Sequence, residues 1–427
     1  MNHRNRIAGL TTLALLTTVP ATGWAAGFQN MSQSATANGM ASMGTANPDE
    51  PNASFYNAAA LAQREGFEIY IGDTILIPET TYEPLDGNGE AAQTISQIFP
   101  PPNAHVGMAI DLGSAGTLGV AAGLTLPYGA GIAWPEDWDG DYIIISQDLQ
   151  TYNFNPNVSY KLPGKDLSFG AGAQIYRTNV RLVRDAILRD DTQVRSEITG
   201  SGWGFGGTAA VLYRPIKPLS IGLNYRSAVD LDIEGHAHFE GEENTAFERT
   251  FTDQAGSTVI PIPHALTLGV GYTYEKLFVG LDINYTTWSR YDQIVLEFSE
   301  PCREGSESCD PEVDATDPPP STIESKWEDA IAFRLGLQYE AVENLKIRAG
   351  FAYDNTPIPE KTLSPSLPGN DRAIVSLGLG YSIAGVRADV GYQFVNALER
   401  EVVDTNNLPG IYKTKAHVIG INLGYGY

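Results

Sequence analysis

From Gly66 onward, apolar or aromatic residues recur at every second position, the period of a strand with one apolar and one polar face. Leu219, Ile221, Leu223 and Tyr225 share one face; Ser220, Gly222, Asn224 and Arg226 share the other. Val279, Leu281 and Ile283 alternate in the same way with Gly280, Asp282 and Asn284. The run 386–394 puts Arg387, Asp389 and Gln393 on its polar side, and 152–160 does so with Asn153, Asn155 and Asn157. Soluble sandwiches alternate too, so three further features decide the class. The runs are about ten residues long, the span of a tilted strand crossing hydrocarbon. Tyrosines and tryptophans recur at their ends, as interfacial girdles require. Tight turns such as 215–218 alternate with long polar loops such as 234–259 and 300–322, the asymmetry of membrane barrels.

Strands are expected to begin near 66, 104, 116, 150, 166, 198, 218, 264, 277, 323, 343, 371, 384 and 411. The pattern predicts an all-β fold, a 14-stranded antiparallel transmembrane β-barrel over residues 66–427. An even count puts both termini on one side of the membrane, the periplasmic one. The last strand aligns Ile419, Ile421, Leu423, Tyr425 and Tyr427, and closure of the barrel hides what would otherwise be an aggregation-prone edge.

The first residues have a different pattern. Arg4 and Arg6 precede an apolar stretch from Ile7 to Val19, and Gly23 and Ala25 then supply small residues. This is the layout of a secretory signal peptide, with cleavage expected after Ala25. Residues 26–65 do not alternate. They are rich in Ser, Ala, Asn and Gly and carry Met31, Met40 and Met43 among the chain's five methionines. Phe28, Phe55, Tyr56 and Leu61 are more large apolar residues than a solvated linker carries. The segment is therefore expected to fold into the barrel as a plug. Its methionines suit a surface accepting varied apolar ligands.

Charge and cysteines narrow the function classes. Without the leader the chain has 25 basic against 51 acidic residues, a formal charge of −26, which argues against nucleic acid as a partner. Cys302 and Cys309 lie in one Pro/Ser/Glu-rich segment and are expected to form a local disulfide in an oxidising compartment. No metal site or cofactor is expected: Asp137, Asp139 and Asp141 read as a solvated acidic loop. Residues 202–207 satisfy G-x-G-x-x-G, but a strand follows where a dinucleotide site needs a helix. A lipid hydrolase would need Ser and His side by side on the outer surface, and no local motif supplies them. The chain is not expected to be an enzyme.

Several segments in order carry a resemblance. They are Ala26-Gly27-Phe28-Gln29, Gly202-Trp203-Gly204-Phe205-Gly206 continuing to Asn224-Tyr225-Arg226-Ser227, Tyr285-Thr286-Thr287-Trp288-Ser289, and Trp327-Glu328-Asp329. The sharpest is Tyr353-Asp354-Asn355-Thr356-Pro357-Ile358-Pro359, followed by Leu367-Pro368 and Asp371-Arg372. Together they resemble the FadL-type outer-membrane long-chain fatty acid transporters and their TodX-like relatives over nearly the whole mature chain.

The resemblance implies a fourteen-stranded barrel closed by an N-terminal hatch. It further implies capture of hydrophobic small molecules at an apolar site and sideways release through a kinked third strand. Pro127, Tyr128 and Gly129 are the candidates for that kink. Hatch and pocket candidates are Phe28, Met31, Met40, Met43, Phe55, Tyr56 and Asn57. Arg177, Arg181 and Lys326 are the candidates to hold a carboxylate head group. Expected partners are long-chain fatty acids or hydrocarbons, with lipopolysaccharide and outer-membrane lipid around a monomer. The hatch signature Asn-Pro-Ala appears here as Asn57-Ala58-Ala59, and the loop between Arg184 and Ile198 is shorter than in the fatty acid archetype.

Overall fold

The computed structural model describes residues 27–85, 89–95, 100–187, 193–241, 253–298 and 321–426. Fourteen strands close into one antiparallel barrel. In chain order they begin with β1 (Gly66–Glu83), β2 (Pro102–Asp111), β3 (Thr117–Ala133), β4 (Ser146–Lys161), β5 (Leu167–Ile187) and β6 (Gln193–Ile216). Four broken strands follow: β7 (Leu219–Arg226 with Val229–Gly241), β8 (Gln254–Ile262 with Ala265–Tyr274), β9 (Leu277–Thr286 with Gln293–Phe298) and β10 (Ser321–Glu324 with Ala330–Val342). The last four are β11 (Leu345–Asp354), β12 (Arg372–Ile383), β13 (Val386–Ala397) and β14 (Gly410–Gly426). Each strand pairs with its successor, and β14 closes on β1 from Glu68↔Gly426 to Glu83↔Ile411. No helix among the described residues is long and apolar enough to cross a membrane.

Alternation explains the wall. Leu335, Leu377, Leu423 and Tyr381 are among the large apolar side chains left exposed outward, where lipid covers them. Inward positions are polar or small: Asn224, Asp282, Arg334, Arg348, Ser376, Asp389 and Asn422 are all buried. That polarity is satisfied largely by the N-terminal segment, which lies inside the barrel as two single-turn helices, Ala35–Asn38 and Ala53–Tyr56, and a 3-10 stretch, Ala58–Gln63. The Ala35 N–H donates to Asn422 Oδ1 (2.8 Å), and the Ala41 N–H donates to Ser376 Oγ (2.8 Å). Asp282 Oδ2 accepts the Gly44 and Thr45 N–H groups at 3.0 Å each. Arg226 donates to the Phe55 carbonyl and lies 4.0 Å from the centroid of the Phe55 ring.

Glycines at inward positions make the seat possible. A Cβ at Gly350 would overlap the backbone of Met40, and one at Gly391 would overlap the Ala35 carbonyl oxygen. The plug backbone thus rests directly on the wall. Buried ion pairs complete this lower layer, with Arg334–Asp354 and Arg348–Asp389 both at 2.8 Å and Arg387 also on Asp389.

Candidate functional site

Above the plug the lumen changes character. Phe28, the second described residue, is held by Trp288, Tyr291, Trp327 and Tyr128, with ring centroids 4.8, 5.5, 5.8 and 6.1 Å away. Leu149, Leu231, Ile233, Ile260 and Ile358 continue the same buried apolar cluster. Trp134 stacks on Trp138 at 4.3 Å at the start of the segment joining β3 to β4. Beside this cluster is a cavity of about 710 Å³ lined by Phe28, Leu149, Leu182, Ile233, Tyr291 and Trp327 among others. This volume falls within the ~300–1,000 Å³ usual for small-molecule sites.

Among the described residues, Arg184 is the one Lys or Arg in this lining, which also carries His236 and Glu324. Arg184, on the inward register of β5 with Val180 and Leu182, contributes to the cavity wall. Its Nε is buried and has no hydrogen-bond partner. A guanidinium so placed favours an anion able to accept its fork of donors.

The wall itself is irregular next to Phe28. The β3–β4 register shifts between Thr125 and Tyr128, where Pro127 cannot donate to a ladder. The β2–β3 rungs end at Ala104↔Leu124. From Leu126 to Gly129, β3 bonds to the plug. The Asn30 N–H donates to the Pro127 carbonyl (2.8 Å), and the Gly129 N–H donates to the Phe28 carbonyl (3.0 Å). Gln33 bonds both ways with Leu126, accepting its N–H at 3.0 Å and donating to its carbonyl at 2.9 Å. Pro127, Tyr128 and Gly129 therefore sit where the third strand departs from its neighbour and meets the plug.

The structure does not bring the other expected residues together here. Arg177 and Arg181 occupy the opposite, outward register of β5. Arg177 donates to Ser201 Oγ (2.8 Å) and lies 5.2 Å from the Trp203 ring centroid. Arg181 pairs with Glu197 (2.7 Å). Lys326 pairs with Asp292 at 3.2 Å, between cavity-lining Ser325 and Trp327. Met40 and Met43 are buried against Phe278 in the lower plug. Met31, Phe55 and Tyr56 form a second cluster there. Asn57 caps the 3-10 stretch by accepting the Ala59 N–H at 3.1 Å, and it donates to the Thr45 and Val211 carbonyls. Of the plug candidates, Phe28 alone lines the cavity. Cys302, Cys309 and the leader 1–25 lie outside the described residues.

Sequence reasoning missed Arg184, Trp288, Tyr291 and the role of Trp327. Two signals were present. Trp288 and Trp327 fall in motifs that carried the resemblance, and the alternation of β5 separates Arg184 from Arg177 and Arg181 by face.

Comparison with known proteins agrees with this architecture. The chain is 24% identical to the long-chain fatty acid transport protein of Escherichia coli K12, covering 95% of each. It is also 24% identical to outer membrane protein P1 of Haemophilus influenzae, over 83% of this chain and 81% of that one. The fold matches a crystal structure of a Pseudomonas aeruginosa FadL homologue with a TM-score of 0.81 at 18% identity, covering 94% of this chain and 99% of that one. The toluene transporter TodX of Pseudomonas putida superimposes with a TM-score of 0.67 at 16% identity, covering 92% and 97%. The profile of one family matches residues 15–427. The chain therefore belongs to the outer membrane protein transport protein family (OMPP1/FadL/TodX), β-barrel channels of the Gram-negative outer membrane that carry hydrophobic compounds and are not enzymes.

Proposed function

We propose that this protein takes up long-chain fatty acids passively, holding the tail in the apolar cavity and the carboxylate at Arg184. Release is lateral, beside the β3 irregularity at Thr125–Tyr128, once the plug withdraws from it. The observation that carries this reading is the buried, unpartnered Arg184 Nε in an otherwise largely apolar lining. A carboxylate satisfies such a group, whereas a hydrocarbon leaves it unpaired. The same reading takes 1–25 as a signal peptide and 26–65 as the hatch. The barrel works as a monomer against outer-membrane lipid and lipopolysaccharide.

The aromatic lining favours a second reading, transport of uncharged aromatic or aliphatic hydrocarbons. Phe28, Tyr291 and Trp327 face the cavity, and a structural neighbour is named for toluene transport. Uptake of labelled oleate by a host lacking its own transporter, with and without the inserted protein, separates the two. A Kd series on purified protein then locates the head group. Arg184→Ala is expected to weaken oleate about tenfold or more, as loss of a charged hydrogen bond implies, and to leave hexadecane unchanged. Equal effects on both ligands, or none on oleate, would remove the carboxylate assignment.

A further inference from the structure

The inward positions of β4 descend from Gln147 and Leu149, which line the cavity, through Thr151 to Asn153, Asn155, Asn157 and Ser159. All five lower residues are buried. Asn155 donates to the Ala173 carbonyl, and Asn157 donates to the Asn155 carbonyl at 2.7 Å. Asn153 is different. It is 0% exposed, yet neither its Nδ2 nor its Oδ1 has a hydrogen-bond partner. Directly across the β3–β4 ladder stands Thr125, 1% exposed, whose Oγ1 is also without one. The nearest hydroxyls are committed elsewhere. Tyr176, the partner of Asn153 on β5, donates to Gln174 Oε1 at 2.7 Å, and Thr151 accepts from Thr178 at 3.4 Å. Polar atoms left unmet at such depth are costly, so a buried amide and hydroxyl without protein partners call for a guest that bonds them.

Position and chemistry say which guest. Asn153 lies about 13 Å down β4 from Leu149, at ~3.3 Å per residue. Thr125 is the last residue before the β3 register shift. The carbonyls of the next two residues, Leu126 and Pro127, accept from Gln33 and Asn30 of the plug. The pair thus sits between the cavity and the proposed place of lateral release, beside the plug segment that has to leave. Thr151 and Tyr176, its inward neighbours on β4 and β5, carry no charge. An amide offers N–H donors and a carbonyl acceptor, the complement of a neutral O–H group that donates and accepts at once. A carboxylate only accepts, and would leave Asn153 Oδ1 unmet.

We propose that Asn153 and Thr125 form a second head-group site, at the inner side of the lateral exit, for a neutral O–H group: a long-chain alcohol, or a fatty acid in its protonated form. This rests on the lateral-release reading above. A carboxylate leaving Arg184 takes a proton from a hydronium ion of the external medium, giving the acid and water. The acid's O–H then donates to Asn153 Oδ1, and its carbonyl accepts from Asn153 Nδ2 and Thr125 Oγ1. Crossing as the acid spares the head group the cost of entering hydrocarbon as an ion.

The test is uptake of labelled oleyl alcohol, oleate and hexadecane by the host lacking its own transporter, with Asn153→Leu and Thr125→Val. Both variants keep the shape of the side chain and remove its bonding groups, a change that does not destabilise a barrel in which those groups were unbonded. Asn153→Leu is expected to slow alcohol and oleate uptake about fivefold, the loss of one neutral hydrogen bond, and Thr125→Val about twofold. Hexadecane uptake should stay as it was, which also shows that each variant is inserted and open. The Kd of oleate for the purified protein should not move, because Arg184 holds the head group there.

Slowing of the alcohol alone would assign the site to alcohols, and slowing of oleate with it would add the protonated acid. Unchanged uptake of both O–H ligands by both variants, or equal slowing of hexadecane, would overturn the proposal. Absence of uptake of all three ligands by the unsubstituted, inserted protein would instead remove the transport reading, and this site with it.

Discussion

The two halves of the lumen are built on opposite rules. In the lower half the principal charges pair with one another or with the plug: Arg334 meets Asp354, Arg348 and Arg387 meet Asp389, and Asp282 Oδ2 accepts two plug N–H groups, although single atoms such as Arg334 Nε and Asp282 Oδ1 make no hydrogen bond. Glycines let the plug backbone rest against the wall. In the upper half the packing is aromatic and aliphatic, a cavity remains, and Arg184 Nε is left without a partner. A charge-paired polar network specifies one arrangement and rigidifies it. In the proposed function, the unpaired Arg184 Nε beside the apolar void is completed by the ligand's carboxylate. The lower layer is thus a seat, and the upper one a receptacle.

The sharpest way to break the comparison is to unpair the seat. Asp389→Ala leaves Arg348 and Arg387 without their carboxylate. It is expected to lower barrel stability by about 3–5 kcal/mol, read as a shift of the urea midpoint in detergent micelles, with ligand affinity reduced only as far as the plug moves.

Next comes the receptacle. Phe28→Ala removes the ring caged by Trp288, Tyr291, Trp327 and Tyr128. A loss approaching the ~3–5 kcal/mol of a buried Phe→Ala change should appear as release of the plug N-terminus. Proteolysis of the first plug residues in reconstituted vesicles would report it, and resistance equal to the unsubstituted protein would deny Phe28 its anchoring role.

Gly350→Val is expected to cost less, about 1–3 kcal/mol of overpacking, because the plug can shift. Planar-bilayer conductance should rise as the plug lifts from the wall. Silence there would mean the plug does not rest on this glycine.

The smallest effect concerns Glu50 in the plug. Burial raises its pKa, against the opposing pull of Ser34, Asn52, Arg387 and Arg64, to about 7 from an ordinary 4.5. A carboxyl with a raised pKa binds more protons in the docked state. Docking is therefore strongest below about 4.5 and weakens as pH rises through 7. Glu50→Gln should flatten the dependence of plug protection between these values in hydrogen exchange. A profile identical to that of the unsubstituted chain would place the titration elsewhere.

The barrel was legible because period-2 alternation is local. The outward row Leu219, Ile221, Leu223, Tyr225 and its polar counterpart could be read directly, and the observed strands start within about five residues of the expected positions, except β8, which begins at Gln254 inside the expected 234–259 loop and not near 264. The plug, too, was visible as a non-alternating segment with buried-type residues. The cavity was less legible, for a physical reason in each case. Arg177 and Arg181 were selected for charge and height along the strand. A strand presents alternate residues to opposite sides, so those two face outward while Arg184 and Leu182 face inward. The methionines were selected for their soft side chains, yet in the close-packed lower plug that softness serves to fill gaps beside Gly280 and Gly336.

Local residue pattern set the class and much of the wall: a plug-like segment followed by fourteen strands. These follow from composition and from neighbours two residues apart. The folded barrel alone settles that Phe28 meets Trp288 and Trp327, that Arg184 Nε finds no hydrogen-bond partner, and that the β2–β3 rungs end at Leu124. Those facts depend on residues hundreds of positions apart brought together by closure and register, and no local pattern encodes which of them meet.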